Sequence, residues 1–391
     1  MKLKKFVQLY LAAAVFLLAQ VTYAAPGGAA APSRPSPSSK ASAARPESEQ
    51  KWQTVLAGAR KEGTVRLYGL IGASVRAELL ATLKEKFGVN LELVSGASGE
   101  LMQKLIMEQQ ANVPSADLYI GSPEDHMYLK PKGYLVPLTQ HIILPETKEV
   151  KNWVGGKFPM FDKDGTAVAL LAGYSAYIMI NTQIIAENEI HGYEDLLKPQ
   201  YKGKMVMFDP TTSGGSPSRT FVNYVIPRIM GSEAGAKYLR ELARQDLAFT
   251  RDARLHVEWV AKGKYPIGIA ARPAVINDFI AAGSPLTRVR PKKGAGVAVS
   301  ASCLSIVKNA PHPNAATLFL NWALTDEGQR IIAKGINYPP RRLGVPFESN
   351  DQFAVVRPGE EITYETDEAF YLDGAKTVHL AKDIFGPFVG K

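Results

Sequence analysis

Five stretches of this chain carry the residue types that hold oxyanions. They are 69–74 (Gly-Leu-Ile-Gly-Ala-Ser), 95–98 (Ser-Gly-Ala-Ser), Gly121-Ser122, 209–216 (Asp-Pro-Thr-Thr-Ser-Gly-Gly-Ser) and Ala271-Arg272-Pro273. Free backbone N–H groups, hydroxyl donors and a following helix start suit phosphate, phosphonate or carboxylate. The candidates are Gly72, Ala73 and Ser74, then Ser95 and Ser98, Ser122, and the run Ser213, Gly214, Gly215 and Ser216. Arg272 adds a guanidinium that can fork onto an oxyanion. For any one loop, helix capping explains the residues as well as binding does, and a surface ion pair does so for Arg272. Convergence of several loops on one crevice favours binding.

Enzyme signatures are missing. The chain has no P-loop, no Gly-x-Ser-x-Gly elbow and no dinucleotide fingerprint. Its six histidines have no metal-type spacing, and the acids of Glu124-Asp125-His126 read as solvated first-turn residues of a helix. The lone cysteine, Cys303, sits in an apolar run (301–307) and reads as a buried small hydrophobe rather than a nucleophile. No cofactor, metal or catalytic residue is expected.

The elements that must position these loops alternate. Trp52, Val55, Leu56 and Ala59 have helical spacing before Gly63; strands follow at 64–68, 89–94 and 117–120. Between them lie an amphipathic helix carrying Val75, Leu79, Leu83 and Phe87, with Ser74 as its cap, and another over 98–111. Ser122-Pro123-Glu124-Asp125 opens a further helix. The grammar restarts with strands at 205–208, 267–270, 297–300 and 302–307, and helices near 218–230, 233–245, 253–262, 274–282, 314–324 and 326–334. Such alternation predicts α/β architecture with mainly parallel sheets. In open α/β sheets, ligands bind outside the carboxyl ends of strands, where these five loops fall.

Ahead of the regular part, Lys2, Lys4 and Lys5, the apolar run 6–21 and small residues to Ala25 form a secretory leader cut near Ala24. Residues 25–48, nearly all Ala, Pro, Ser and Gly, read as a flexible tether. Export implies a periplasmic location. Removing the leader's three lysines and the net +2 of the tether from the formal +9 leaves +4. That is too little to argue for nucleic acid, and it favours anionic ligands only weakly.

Ordered phrases carry a resemblance. They are 59–63 (Ala-Arg-Lys-Glu-Gly), 115–119 (Ser-Ala-Asp-Leu-Tyr), 132–138 (Lys-Gly-Tyr-Leu-Val-Pro-Leu), 179–182 (Met-Ile-Asn-Thr), 196–204 (ending Pro-Gln-Tyr-Lys-Gly-Lys), Asn321-Trp322, Glu327-Gly328-Gln329 and Tyr338-Pro339. Through them the chain resembles bacterial extracellular solute-binding proteins of the ferric-iron-transport type, receptors of ABC importers with the type 2 periplasmic-binding fold. The resemblance implies two hinged lobes, 49–173 with 298–345 and 174–297 with 346–391, crossing near 173–177 and 294–297. It also implies a small solute in the cleft, an inner-membrane permease as partner, and a monomer. Where ferric binders carry adjacent tyrosines this chain reads Ala271-Arg272-Pro273-Ala274, and where some carry His or Glu ligands it has Gly72 and Gly121-Ser122. Ser213-Gly214-Gly215-Ser216 matches the family's anion-holding loop. A small organic anion (phosphonate, sugar phosphate or carboxylate) is the expected ligand, with Tyr174 at the hinge packing on it or in the core. A ferric binder with unusual ligands, a periplasmic enzyme and a sensor-coupled receptor are the alternatives.

Overall fold

The computed structural model describes residues 39–69, 71–96, 98–175, 177–212, 216–299, 302–348, 351–357 and 359–389. The expected leader (1–24) and the candidates Ser213, Gly214 and Gly215 lie outside them. The chain divides into units 1–43 and 44–391. Of the first unit only 39–43 are described, as the opening of a helix. Among the described residues no helix is long and apolar enough to cross a membrane.

The first half runs α1 (Ser39–Glu62), β1 (Thr64–Gly69), α2 (Ala73–Phe87), β2 (Asn90–Val94), α3 (Ser98–Gln110), β3 (Leu118–Gly121), α4 (Pro123–Leu129), β4 (Val168–Ala169), β5 (Ala172–Ser175) and β6 (Ile178–Asn181). Next come β7 (Met205–Phe208), α5 (Pro217–Thr220), a π turn at Phe221–Val225, α6 (Ile226–Met230), α7 (Ser232–Ala243), β8 (Ala248–Thr250), α8 (Ala253–Ala261), β9 (Ile267–Ile269) and α9 (Pro273–Ala281). The chain ends with β10 (Leu286–Arg288), β11 (Gly296–Val299), β12 (Cys303–Ile306), α10 (Pro313–Ala323), α11 (Asp326–Ile336), β13 (Tyr364–Glu365) and α12 (Glu368–Gly374).

Three sheets result. The first has order β2-β1-β3-β12-β4 and the second β10-β6-β9-β7-β8. Each is parallel where the βα units stack (β1 with β2 and β3, β7 with β8 and β9) and antiparallel where β12 or β6 joins. The third, β13-β11-β5, links the other two. The chain passes toward the second sheet through β5 and back through β11, which pair antiparallel with Val297 opposite Tyr174.

Each large sheet has its own core. Val65, Leu67, Leu79, Leu118, Phe319 and Trp322 are in the first, and Ile180, Met207, Phe221, Leu239, Ile267 and Phe385 in the second. Burying whole apolar side chains of this size stabilises by about 1.5–3 kcal/mol each.

Two expectations change. Helix α1 begins at Ser39, inside the stretch expected to be a tether. Residues 39–51 supply Ala, Lys, Arg, Glu and Gln, good helix formers, alongside three serines and Pro46, and Glu47 pairs with Lys51 one turn on. The N-cap of α2 is Gly72, not Ser74, and no side chain caps it. The N–H of Gly72 instead donates to the Gly335 carbonyl at 2.9 Å.

Linking strand β11 starts at a glycine for steric reasons. A Cβ on Gly296 would lie 2.0 Å from the ring of Tyr364, a buried side chain stacked on Phe370. Gly296→Ala should therefore cost about 1–3 kcal/mol, the range for overpacking a filled core. Urea unfolding tests it; an unchanged midpoint would contradict the packing described.

Candidate functional site

Two adjoining cavities lie where the sheets meet. One, of about 310 Å³, is lined by Glu124 of α4, Tyr177, Ser216, Arg219, Thr220, Tyr224, Ala298, Val299, Thr366, Phe370 and Tyr371. The other, of about 300 Å³, shares Tyr177, Ser216, Thr220 and Ala298 and adds Tyr174, Arg288, Tyr338 and Asp351 among others. Such volumes lie at the small end of ligand sites.

Strand β7 delivers the shared wall. After it, Asp209 turns the chain: its carboxylate accepts from the Thr211 N–H at 2.8 Å and pairs with Arg251 at 2.9 Å. These donors hold the Asp209 carboxyl below its ordinary range despite burial. The chain then reaches Ser216, Pro217 and the first turn of α5, where Arg219 and Thr220 point into the first cavity. Ser216 is 5% exposed, and its Oγ has no hydrogen-bond partner among the described residues. A buried hydroxyl without a partner costs about 1–3 kcal/mol, so its facing a cavity suggests a partner that arrives with the ligand. Arg219 is half-buried and makes no ion pair among the described residues.

The second cavity differs electrostatically. Arg288 is buried but already forked onto the carboxylate of Asp351, with Asn277 accepting from the same guanidinium at 3.2 Å. Arg290 is likewise engaged by Glu360 and sits 4.1 Å over the ring of Tyr174. Among the described residues lining the two cavities, Arg219 is the cation without an ion pair. Burial pushes the phenols of Tyr174 and Tyr177 up to about 12. Tyr371 is raised by burial first and by the nearby carboxylate of Glu124. At neutral pH these phenols are donors, not phenolates.

The two sides of the cleft are tied at α12. Lys130, after α4, pairs with Glu368 of α12 and with Asp164 at 2.7 Å, while Glu368 also accepts from the Lys163 N–H at 3.0 Å. On its far side, Phe370 of α12 stacks on Tyr224 and joins the second core. Helix α12 thus carries Tyr371 to Glu124 across the first cavity.

The sequence profile of the bacterial extracellular solute-binding proteins matches residues 78–354. This chain belongs to that family. An uncharacterized protein of Haemophilus influenzae is 26% identical over 261 residues, 64% of this solute-binding protein and 69% of its own length. Among solved structures, a Bordetella ferric binding protein is 19% identical with a TM-score of 0.64, covering 82% of this chain and 98% of its own. The Trichodesmium protein IdiA (FutA), in complex with iron and citrate, is 20% identical with a TM-score of 0.63, covering 82% and 99%. These likenesses show the two-lobed periplasmic-binding fold.

Of the residues singled out by sequence, this solute-binding protein brings Tyr174 and Ser216 to the cleft cavities. Gly72 and Ala73 start α2, and Ser74 and Ser95 are exposed; none of these four lines either cavity, and Ser98 is the first residue of α3. Ser122 caps α4 in a reciprocal box with Asp125. Arg272 is exposed at the start of α9, while its neighbours Ala271 and Pro273 line the second cavity. In the Glu124-Asp125-His126 triplet the roles separate: Glu124 is exposed, as expected of a first-turn acid, and also lines the first cavity, whereas Asp125 is buried as a cap and His126 is buried. Sequence reasoning missed Tyr177, Arg219, Thr220, Arg288 and Tyr371. Only Arg219 carried a local signal, as a cation in the first turn after a Ser/Gly loop. Cys303 is fully buried and burial pushes its thiol well up, which leaves it unreactive.

Proposed function

We propose that this protein is a periplasmic receptor that captures a small organic anion between its lobes and delivers it, as a monomer, to an inner-membrane ABC permease. The lobes are 49–173 with 298–345 and 174–297 with 346–391, and β5 and β11 are the hinge strands. One observation carries the ligand class: Ser216, whose buried Oγ has no hydrogen-bond partner among the described residues, and Arg219, which makes no ion pair among them, line the same cavity. Carboxylate, phosphate or phosphonate oxygens satisfy both at once, and Thr220 adds a hydroxyl. The Ser213–Gly215 run immediately precedes this wall in sequence.

Titration calorimetry of the mature chain against small carboxylates, phosphate esters and phosphonates tests this. A charge-assisted hydrogen bond contributes about 1.5–3 kcal/mol, so Arg219→Ala should weaken the best anion roughly tenfold to a hundredfold. Ser216→Ala should weaken it by up to about tenfold. An Arg219→Ala variant that binds as tightly as the parent would end the proposal.

A ferric cargo is the second reading, favoured by Glu124, Tyr177, Tyr224 and Tyr371 lining one cavity. It requires phenols that burial holds protonated to release their protons to the metal. A visible phenolate-to-iron absorption band on adding ferric citrate, with no organic anion bound, would select it.

A further inference from the structure

The first cavity has two chemically opposite ends. Ser216, Arg219 and Thr220 come from the second-sheet side, at the start of α5. Glu124 comes from α4, on the first-sheet side, and shares the cavity with Tyr371 of α12. Although both line one cavity of about 310 Å³, Glu124 and Arg219 form no ion pair with each other or with any other described residue. Glu124 is exposed and Arg219 half-buried, so water serves as the counter-group of each here. A plain anion would satisfy Arg219 and be repelled by Glu124. Closure of the proposed lobes over a ligand would remove that water, and each charge then needs a counter-group from the ligand.

We infer that the solute is a small zwitterion, with an oxyanion head on Ser216 and Arg219 and an ammonium group on Glu124. This rests on the anion binding proposed above and narrows it. Because the two ends belong to different lobes, the ammonium is also what rewards closure. A ligand lacking it contacts one lobe fully and the other only against charge, so it stabilises the closed state less. Tyr371, kept protonated by burial, lines the same cavity as a phenol donor.

Matched ligands differing in one terminal group test the inference. The first series is O-phosphoethanolamine, 2-hydroxyethyl phosphate and n-propyl phosphate; the second is β-alanine, 3-hydroxypropionate and butyrate. Calorimetry should give the order ammonium, hydroxyl, methyl in at least one series, with the ends separated by tenfold or more. Glu124→Gln should reduce that separation to below about threefold and strengthen binding of the methyl member, since a repulsion is removed. Methyl and ammonium members of equal affinity, still weakened by Arg219→Ala, would overturn the zwitterion and leave anion binding intact. Failure of all six to bind would overturn both.

Discussion

Arg341→Met is expected to cost about 3–5 kcal/mol of folding free energy, the penalty for leaving one member of a buried ion pair alone. Arg341 is 1% exposed and its guanidinium donates to the carboxylate of Glu365, itself 6% exposed. The pair joins the loop after α11, whose Arg341 N–H donates to the Leu170 carbonyl at 3.1 Å, to β13 of the linking sheet. Methionine would fill the space and leave Glu365 only Lys157, at 3.2 Å and half-exposed, as counter-charge. The double change Arg341→Met with Glu365→Leu removes both charges and should recover most of the loss, because two apolar groups need no counter-charge. Urea unfolding of the three variants checks it. A single-variant cost under about 1 kcal/mol, or a double variant no better than the single, would show that the pair is already compensated by solvent.

This pair also bears on function. Glu365 lies one residue from Tyr364, whose ring covers Gly296 at the start of the return strand. Loosening β13 would therefore loosen the strands about which the lobes are proposed to turn. A stability change at Arg341 is expected to appear in ligand affinity as well, although no atom of Arg341 lines either cavity.

What was legible in the sequence was what local periodicity encodes. Val75, Leu79 and Leu83 fall on one helix face because three or four residues make a turn, and all three are buried. Gly63 and Gly88 end helices because they adopt positive φ, 75° and 79° here, at little cost. The capping role of Ser122-Pro123 could be read from four residues and is present as a full box. The site was less legible because it is assembled from distant segments. Glu124, Arg219 and Tyr371 come from three helices, and only packing of α12 across the lobes brings them to one cavity. Arg272 looked well placed by strand-end logic, yet the turn that starts α9 leaves its side chain exposed. The antiparallel additions, β12 beside β3 and β6 beside β9, were hidden for the same reason. A strand's direction follows from which sheet the chain is re-entering, and no local pattern records that.

The other large effect is on acid stability, and it should fall in a window that isolates one histidine type. His256 on α8 is 1% exposed and lies among Val257, Val260 and Val206. Burial lowers its pKa from 6.5 to about 4, with only the hydrogen bond to the Val206 carbonyl opposing and no charged group contributing. The charged form is thus disfavoured in the fold, while the unfolded chain takes up the proton near pH 6.5. Stability from this group is complete above pH 6.5 and is lost as pH falls toward 4, by about 3 kcal/mol in all. His126, also buried and lowered by burial, acts in the same direction. Carboxylates held low lose their contribution as pH falls through their ordinary values, 3.8 for Asp209 and 4.5 for glutamates such as Glu108, so most of the change between pH 6.5 and 4.5 comes from the histidines. His256→Gln keeps a neutral donor for the Val206 carbonyl and cannot take up the proton. The variant should lose less stability than the parent between pH 6.5 and 4.5, by about 2–3 kcal/mol, when urea unfolding is measured at each pH. Parallel pH profiles for parent and variant would mean that His256 is solvated enough to titrate normally, against the packing of α8 on β7.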